Sequence, residues 1–101
     1  MTLSEPRADI AKHAVQAAAL LKELANENRL MICCVLGDQE FSVGEINERV
    51  PLSQSALSQH LARLREAGLV STRKHGQIVY YRLAGQQAMK IIATLQGIYC
   101  P

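Results

Sequence analysis

The sequence predicts a mainly helical domain with one small β-hairpin, in the order α-α-α-α-β-β-α. Three observations carry that reading. Up to Leu69, apolar residues recur at helical spacing, and residues suited to capping stand where the stretches begin. Between Val70 and Leu83 the pattern switches to β-branched and aromatic residues placed around Gly76. After Gly85 helical spacing resumes and runs to Ile98. A chain of 101 residues is long enough for one domain and one modest core. Its residues are 49% hydrophobic, yet they include one Phe and no Trp. A stock of Ala, Leu, Ile and Val suits packed helices.

The elements follow in order. Residues 1–7 read as a loose arm. Ala8 to Ala25 is rich in strong helix formers, with a stripe of Ile10, Ala14, Ala17 and Leu21 and with Leu20 and Leu24 beside it. That apolar surface is wider than so small a monomer needs. Asn26 can end this helix and cap the next, Glu27 to Leu36, which is nearly all apolar after Arg29 and so is expected to be buried. Ser42 and Glu45 form S-x-x-E, the signature of a capping box. It starts a short helix, Val43 to Val50, that buries Val43, Ile46 and Val50.

A turn at Pro51 and Leu52 leads to Ser53, a preferred N-cap, and to a helix reaching Ala67. Leu57, Leu61 and Leu64 make its apolar stripe, and Gly68 supplies the stop. Its other side holds Ser55, Ser58, Gln59 and Ala62, where most solvent faces carry Glu and Lys. Short hydrogen-bonding groups of this kind suit a DNA major groove, where they meet base edges and phosphates. Residues 42–67 therefore read as a helix-turn-helix. Two strands follow, Val70 to Lys74 and Ile78 to Leu83, joined at His75-Gly76-Gln77. A basic ribbon beside a helix-turn-helix is the wing of a winged helix. The candidate DNA contacts are Ser53, Gln54, Ser55, Ser58, Gln59 and His60 on the helix, with Arg63 toward the backbone, and Arg73, Lys74 and His75 on the wing. His60 serves either DNA or packing.

The last helix, Gln86 to Ile98, again offers more apolar area than the wing can cover. The first and last helices (8–25 and 86–98) are expected to pair across a two-fold axis. A dimer is also what a helix-turn-helix needs to read two half-sites of a palindromic operator. The whole chain, 1–101, is read as one such domain, with 70–83 as wing.

Charge and composition narrow the function. Net charge is only +2, so a dimer carries 2 × (+2) = +4, and DNA binding depends on where the charges sit. The N-terminal stretch has Glu5, Arg7 and Asp9 and no apolar core, and no run approaches the roughly 18 residues of a membrane span. A cytoplasmic protein with no membrane partner is expected. There the three cysteines, Cys33, Cys34 and Cys100, are reduced by default. No C-x-x-C motif suggests a thiol oxidoreductase, and no enzyme activity is expected. A winged helix that only binds protein is a further alternative.

The segments LANENRLMIC (24–33), LSQSALSQHLARLREAGLV (52–70) and GQIVYYRL (76–83) together resemble the ArsR/SmtB family of small dimeric winged-helix repressors. The resemblance spans about residues 10–101 and implies a DNA-binding regulator released from its operator by an inducer. Metal-sensing relatives carry a Cys-x-Cys type site in the helix matching Val43 to Val50, or carboxylate and histidine ligands on the last helix. Here those helices read VGEINERV and QQAMKIIATLQGI, and neither set is present. His13, His60 and His75 lie on three elements and form no ligand set, so neither a metal site nor a cofactor is expected. By position, Cys34 and Cys100 match the cysteine pair of the HlyU/BigR/SqrR branch, whose members sense reactive sulfur species or oxidants. The resemblance thus implies a redox pair that closes as a disulfide or polysulfide bridge. The alternative is a thiophilic metal or metalloid held by the same cysteines. Cys33 points about 100° away from Cys34 on a helix, which suits a small buried hydrophobe.

Overall fold

The computed structural model describes residues 9–100. Its elements are α1 (Ala14–Leu24), α2 (Glu27–Leu36), β1 (Phe41–Ser42), α3 (Val43–Arg49), α4 (Gln54–Glu66), β2 (Val70–His75), β3 (Ile78–Leu83) and α5 (Gln87–Tyr99). Helical backbone is also present at 9–12 and is interrupted by a turn at His13. The expected first helix is therefore broken once, and its expected start at Ala8 lies outside the described residues.

Capping sets the helix starts. Asn26 accepts from the amides of Asn28 and Arg29 and opens α2. Ser42 and Glu45 close a full capping box at α3, and Ser53 accepts from the Ala56 amide at 3.2 Å to open α4. Gly37, Gly68 and Gly85 follow α2, follow α4 and precede α5 with positive φ, which side chains other than glycine rarely adopt.

The sheet corrects one expectation. It has three strands in the order β1-β3-β2, not a lone hairpin, because Phe41 and Ser42 pair with Tyr81 and Tyr80. β1 is only two residues long and abuts a helix cap, so no period-2 pattern could reveal it. β2 also runs one residue further than expected, to His75, which pairs with Ile78 across the turn Gly76-Gln77. Glycine first with positive φ is the requirement of a type II′ hairpin turn.

One core joins the layers: Ile32, Cys33 and Leu36 from α2, Ile46 and Val50 around α3, Leu57, Leu61 and Leu64 from α4, and Ala88 and Ile92 from α5. Val43 is only half-buried against it. α2 is the central helix and packs against α1, α3, α4, α5 and β3. Its burial is not complete, since Met31 is 48% exposed. Beyond Ile92, α5 runs out from the core, leaving Ile98 61% and Tyr99 78% exposed. Ile10, Val15 and Leu21 are likewise exposed on the N-terminal helical segment. No described helix is long and apolar enough to cross a membrane.

Candidate nucleic-acid interface and thiol pair

α4 buries Leu57, Leu61 and Leu64 completely, which fixes its rotation. Gln54, Ser55, Ser58 and Gln59 are consequently exposed on its N-terminal half, where α3 and the turn at Pro51 and Leu52 brace it. Asn47 ties that turn down by donating to the carbonyls of Val50 at 3.3 Å and Leu52 at 2.7 Å. Ser53 spends its hydroxyl on the cap and lies 3.4 Å from the Ser55 hydroxyl. His60 is half-buried, so packing occupies part of its ring.

The basic residues among the candidate contacts fall into two groups. Lys74 and His75 are exposed toward the tip of the wing. Arg63 and Arg73 are held by carboxylates. Arg63 donates from Nε and Nη2 to the two oxygens of Glu23 on α1, at 2.8 and 3.3 Å. Arg73 donates to Glu40, with Nε 3.1 Å from Oε1, and its guanidinium lies over the Tyr80 ring. Sequence reasoning missed both acids. They stand 40 and 33 residues from their arginines, and no local pattern marks them.

All three cysteines are free thiols. Cys33 is fully buried, and burial, with a smaller push from Cys34, raises its thiol to about 12. It packs in the core as a small buried hydrophobe. Cys34 is half-buried in the last turns of α2, and burial raises its thiol too. Cys100 is exposed directly after α5, its amide closing the last turn on Gln96. The helices bearing Cys34 and Cys100 pack on one another, whereas the thiols sit in different environments. Among the described residues, no group of three or more His, Cys, Asp or Glu is placed to hold a metal ion.

A helix-turn-helix with the polar face of its second helix exposed, backed by a three-stranded wing, defines a winged-helix DNA-binding domain. Residues 26–72 match the model of the bacterial regulatory protein arsR family. The chain is 51% identical over 92 residues to the transcriptional activator HlyU of Vibrio cholerae, covering 91% of this chain and 85% of that one. A structure of reduced HlyU from that species superposes with a TM-score of 0.84 at 50% identity, covering 92% of this chain and 98% of that one. The crystal structure of the transcriptional repressor BigR from Xylella fastidiosa gives 0.89 at 40% identity, covering 100% and 99%. A homodimeric winged helix-turn-helix DNA-binding domain from Mycobacterium bovis gives 0.77 at 32%, covering 88% and 82%. This protein belongs to the arsR family of bacterial regulatory proteins. It is a transcriptional regulator of the HlyU and BigR branch, whose members are regulators and not enzymes.

Proposed function

We propose that the protein is a repressor that binds a palindromic operator as a homodimer and leaves it when Cys34 and Cys100 are bridged by reactive sulfur species or oxidants. The observation that carries this reading is the placement of the two cysteines. Cys34 lies on the central helix that packs behind α4, and Cys100 ends the helix packed on it. A bond between them ties α5 to α2. The exposed apolar residues on the N-terminal segment and on α5 supply the dimer seam, and the Mycobacterium bovis relative is itself described as homodimeric. On this reading residues 8–25 and 86–98 form the seam, 42–67 the reading head and 70–83 the wing of one domain.

DNA contacts are assigned to Gln54, Ser55, Ser58 and Gln59 for base edges, with Ser53 and His60 beside them, and to Arg73, Lys74 and His75 for phosphates. The exposed Cys100 thiolate attacks a polysulfide, taking one sulfur atom to give Cys100–S–SH and a shortened polysulfide. Cys34 then attacks the inner sulfur; HS⁻ leaves with the bonding pair and Cys34 loses its proton. The product is the disulfide, and a longer donor fragment gives a polysulfide bridge. Cys34 gains nothing from the α2 dipole, which disfavours a thiolate at a C-terminus. Cys100, at the C-terminus of α5, gains nothing from its helix dipole either, and a strongly electrophilic sulfur donor suits such a thiol better than peroxide. A hundredfold loss of operator affinity needs only about 2.8 kcal/mol of coupling.

The test is operator release from wild type, Cys34→Ser and Cys100→Ser after polysulfide or peroxide, with mass spectrometry of the product. Release in wild type alone, with sulfur mass added or two hydrogens lost, supports the reading. Release in both variants overturns it, and bound metal mass in place of sulfur transfers the site to a thiophilic metal or metalloid.

A further inference from the structure

Glu23 stands in the last turn of α1 between arginines from two other helices. Its carboxylate grips Arg63 of α4 at two points, 2.8 and 3.3 Å, and lies 3.6 Å from the Nε of Arg29 on α2. Arg29 does not depend on that carboxylate. Its Nε donates to the Glu23 backbone carbonyl at 2.7 Å, and its Nη2 reaches the Lys22 carbonyl at 3.5 Å. The Glu23 carbonyl is one that the end of a helix leaves without a backbone partner, while the Lys22 carbonyl also accepts from the Ala25 amide at 3.3 Å. Arg29, 7% exposed, therefore fastens α1 to α2, and the Glu23 carboxylate remains for α4.

That contact is well placed to set an angle. The Glu23 side chain is 14% exposed, so water competes little on its side. A two-point arginine–carboxylate contact fixes orientation as well as distance. The carboxyl is held below its ordinary value, chiefly by the hydrogen bond from Arg63. Arg63 follows Gln59 by one turn, at the end of α4 away from the exposed Gln54, Ser55 and Ser58.

We propose that Glu23 is a positioning residue for DNA recognition: its grip on Arg63 sets the angle of α4 on the body of the protein. Arg63 then acts through α4 and not by touching a phosphate. The inference rests on α4 being the reading helix. The contact joins α1, on the dimer seam, to α4, on the reading face. One carboxylate thereby helps fix how far apart a dimer holds its two reading helices, which the spacing of half-sites demands.

The experiment measures Glu23→Ala, Arg63→Ala and the double variant against an operator selected from random duplex DNA by the wild-type protein, and against an unrelated duplex, over a range of salt. Each single variant is expected to lose operator affinity roughly tenfold, with the double variant no weaker than the worse single, as coupled residues behave. The salt slope and the affinity for unrelated duplex stay unchanged. Glu23→Gln, which keeps an acceptor oxygen for Arg63, returns most of the affinity. A salt slope reduced by about one in Arg63→Ala, with weaker binding to both duplexes, means a phosphate contact and overturns the proposal. Unchanged operator binding in both singles overturns it as well, as does a folded Glu23→Gln as weak as Glu23→Ala. If Gln59→Ala leaves operator choice and affinity untouched, the reading of α4 itself has failed.

Discussion

Glu40 occupies the donors of Arg73 midway along the wing. The Arg73 Nε lies 3.1 and 3.3 Å from the two Glu40 oxygens, and the guanidinium lies 5.0 Å from the centre of the Tyr80 ring, its cross-strand partner. Glu40 sits just before β1, on the segment that leaves the Cys34 helix. Its carboxyl is held below the ordinary range by Arg73. A DNA phosphate would have to take Arg73 from a ligand of the same charge and similar shape.

Glu40→Gln is therefore expected to strengthen binding to duplexes of any sequence, about two- to fivefold, and to steepen the salt dependence by about one phosphate. Arg73→Ala in the same background should remove the gain. Exposed ion pairs contribute little to stability, so the melting temperature should barely move. Fluorescence anisotropy across a salt series reads all of this, and an unaltered slope in Glu40→Gln would mean that Arg73 stays off the DNA.

The three cysteines should separate by access. Iodoacetamide acting on the reduced, folded protein is expected to label Cys100 first and Cys34 more slowly. Cys33 should label only after unfolding, because it is fully buried and its thiol is raised to about 12. Tandem mass spectrometry distinguishes the adjacent pair. Cys33→Ser should cost about 1–3 kcal/mol, the range for burying a hydroxyl without a partner, while leaving the sulfur response in place. Loss of that response with stability intact would give Cys33 a role in sensing.

What was legible in the sequence was local. Asn26, Ser42 and Ser53 announce their helices because a cap and the amides it satisfies lie within three residues. Leu57, Leu61 and Leu64 announce the rotation of α4, and with it the exposure of Gln54, Ser55, Ser58 and Gln59. β1 was not legible, since two residues have no period. Nor were the partners of Arg63 and Arg73, because a carboxylate far along the chain becomes a neighbour only through the packing of α1 on α2 and of β1 on β3. Arg29 shows the same limit: it opens an apolar run in the sequence, yet it is buried against carbonyls of the preceding helix.

The Glu23 contact also sets a pH dependence. Its carboxyl titrates below the ordinary 4.5, so near that value the unfolded chain binds more protons at this position than the folded one. Stability from Glu23 is thus present above 4.5 and is lost as pH falls from there through the folded value. Wild-type melting temperature should drop over that acid range more steeply than that of Glu23→Gln. Parallel curves for the two would show that the carboxylate carries no such linkage.

Asn26 supports the start of α2, the helix that carries Arg29 and Cys34. Its Oδ1 accepts from the Asn28 amide at 3.0 Å and the Arg29 amide at 3.1 Å, satisfying two of the donors that open α2. Asn26→Ala leaves both without that acceptor and should cost about 1 kcal/mol. For a domain of this size that corresponds to a fall of roughly 4–8 °C in Tm, read at fixed protein concentration because a dimer's stability depends on it. Asn26→Asp keeps the acceptor and adds a negative charge at the positive end of the helix dipole, so it should melt at or above wild type. If the two variants fall together, the cap is not what this residue contributes. If only Ala falls, capping is confirmed. In that case Arg29, in the first turn of α2, is the next group expected to loosen, and Asn26→Ala should weaken operator binding in the same direction as Glu23→Ala.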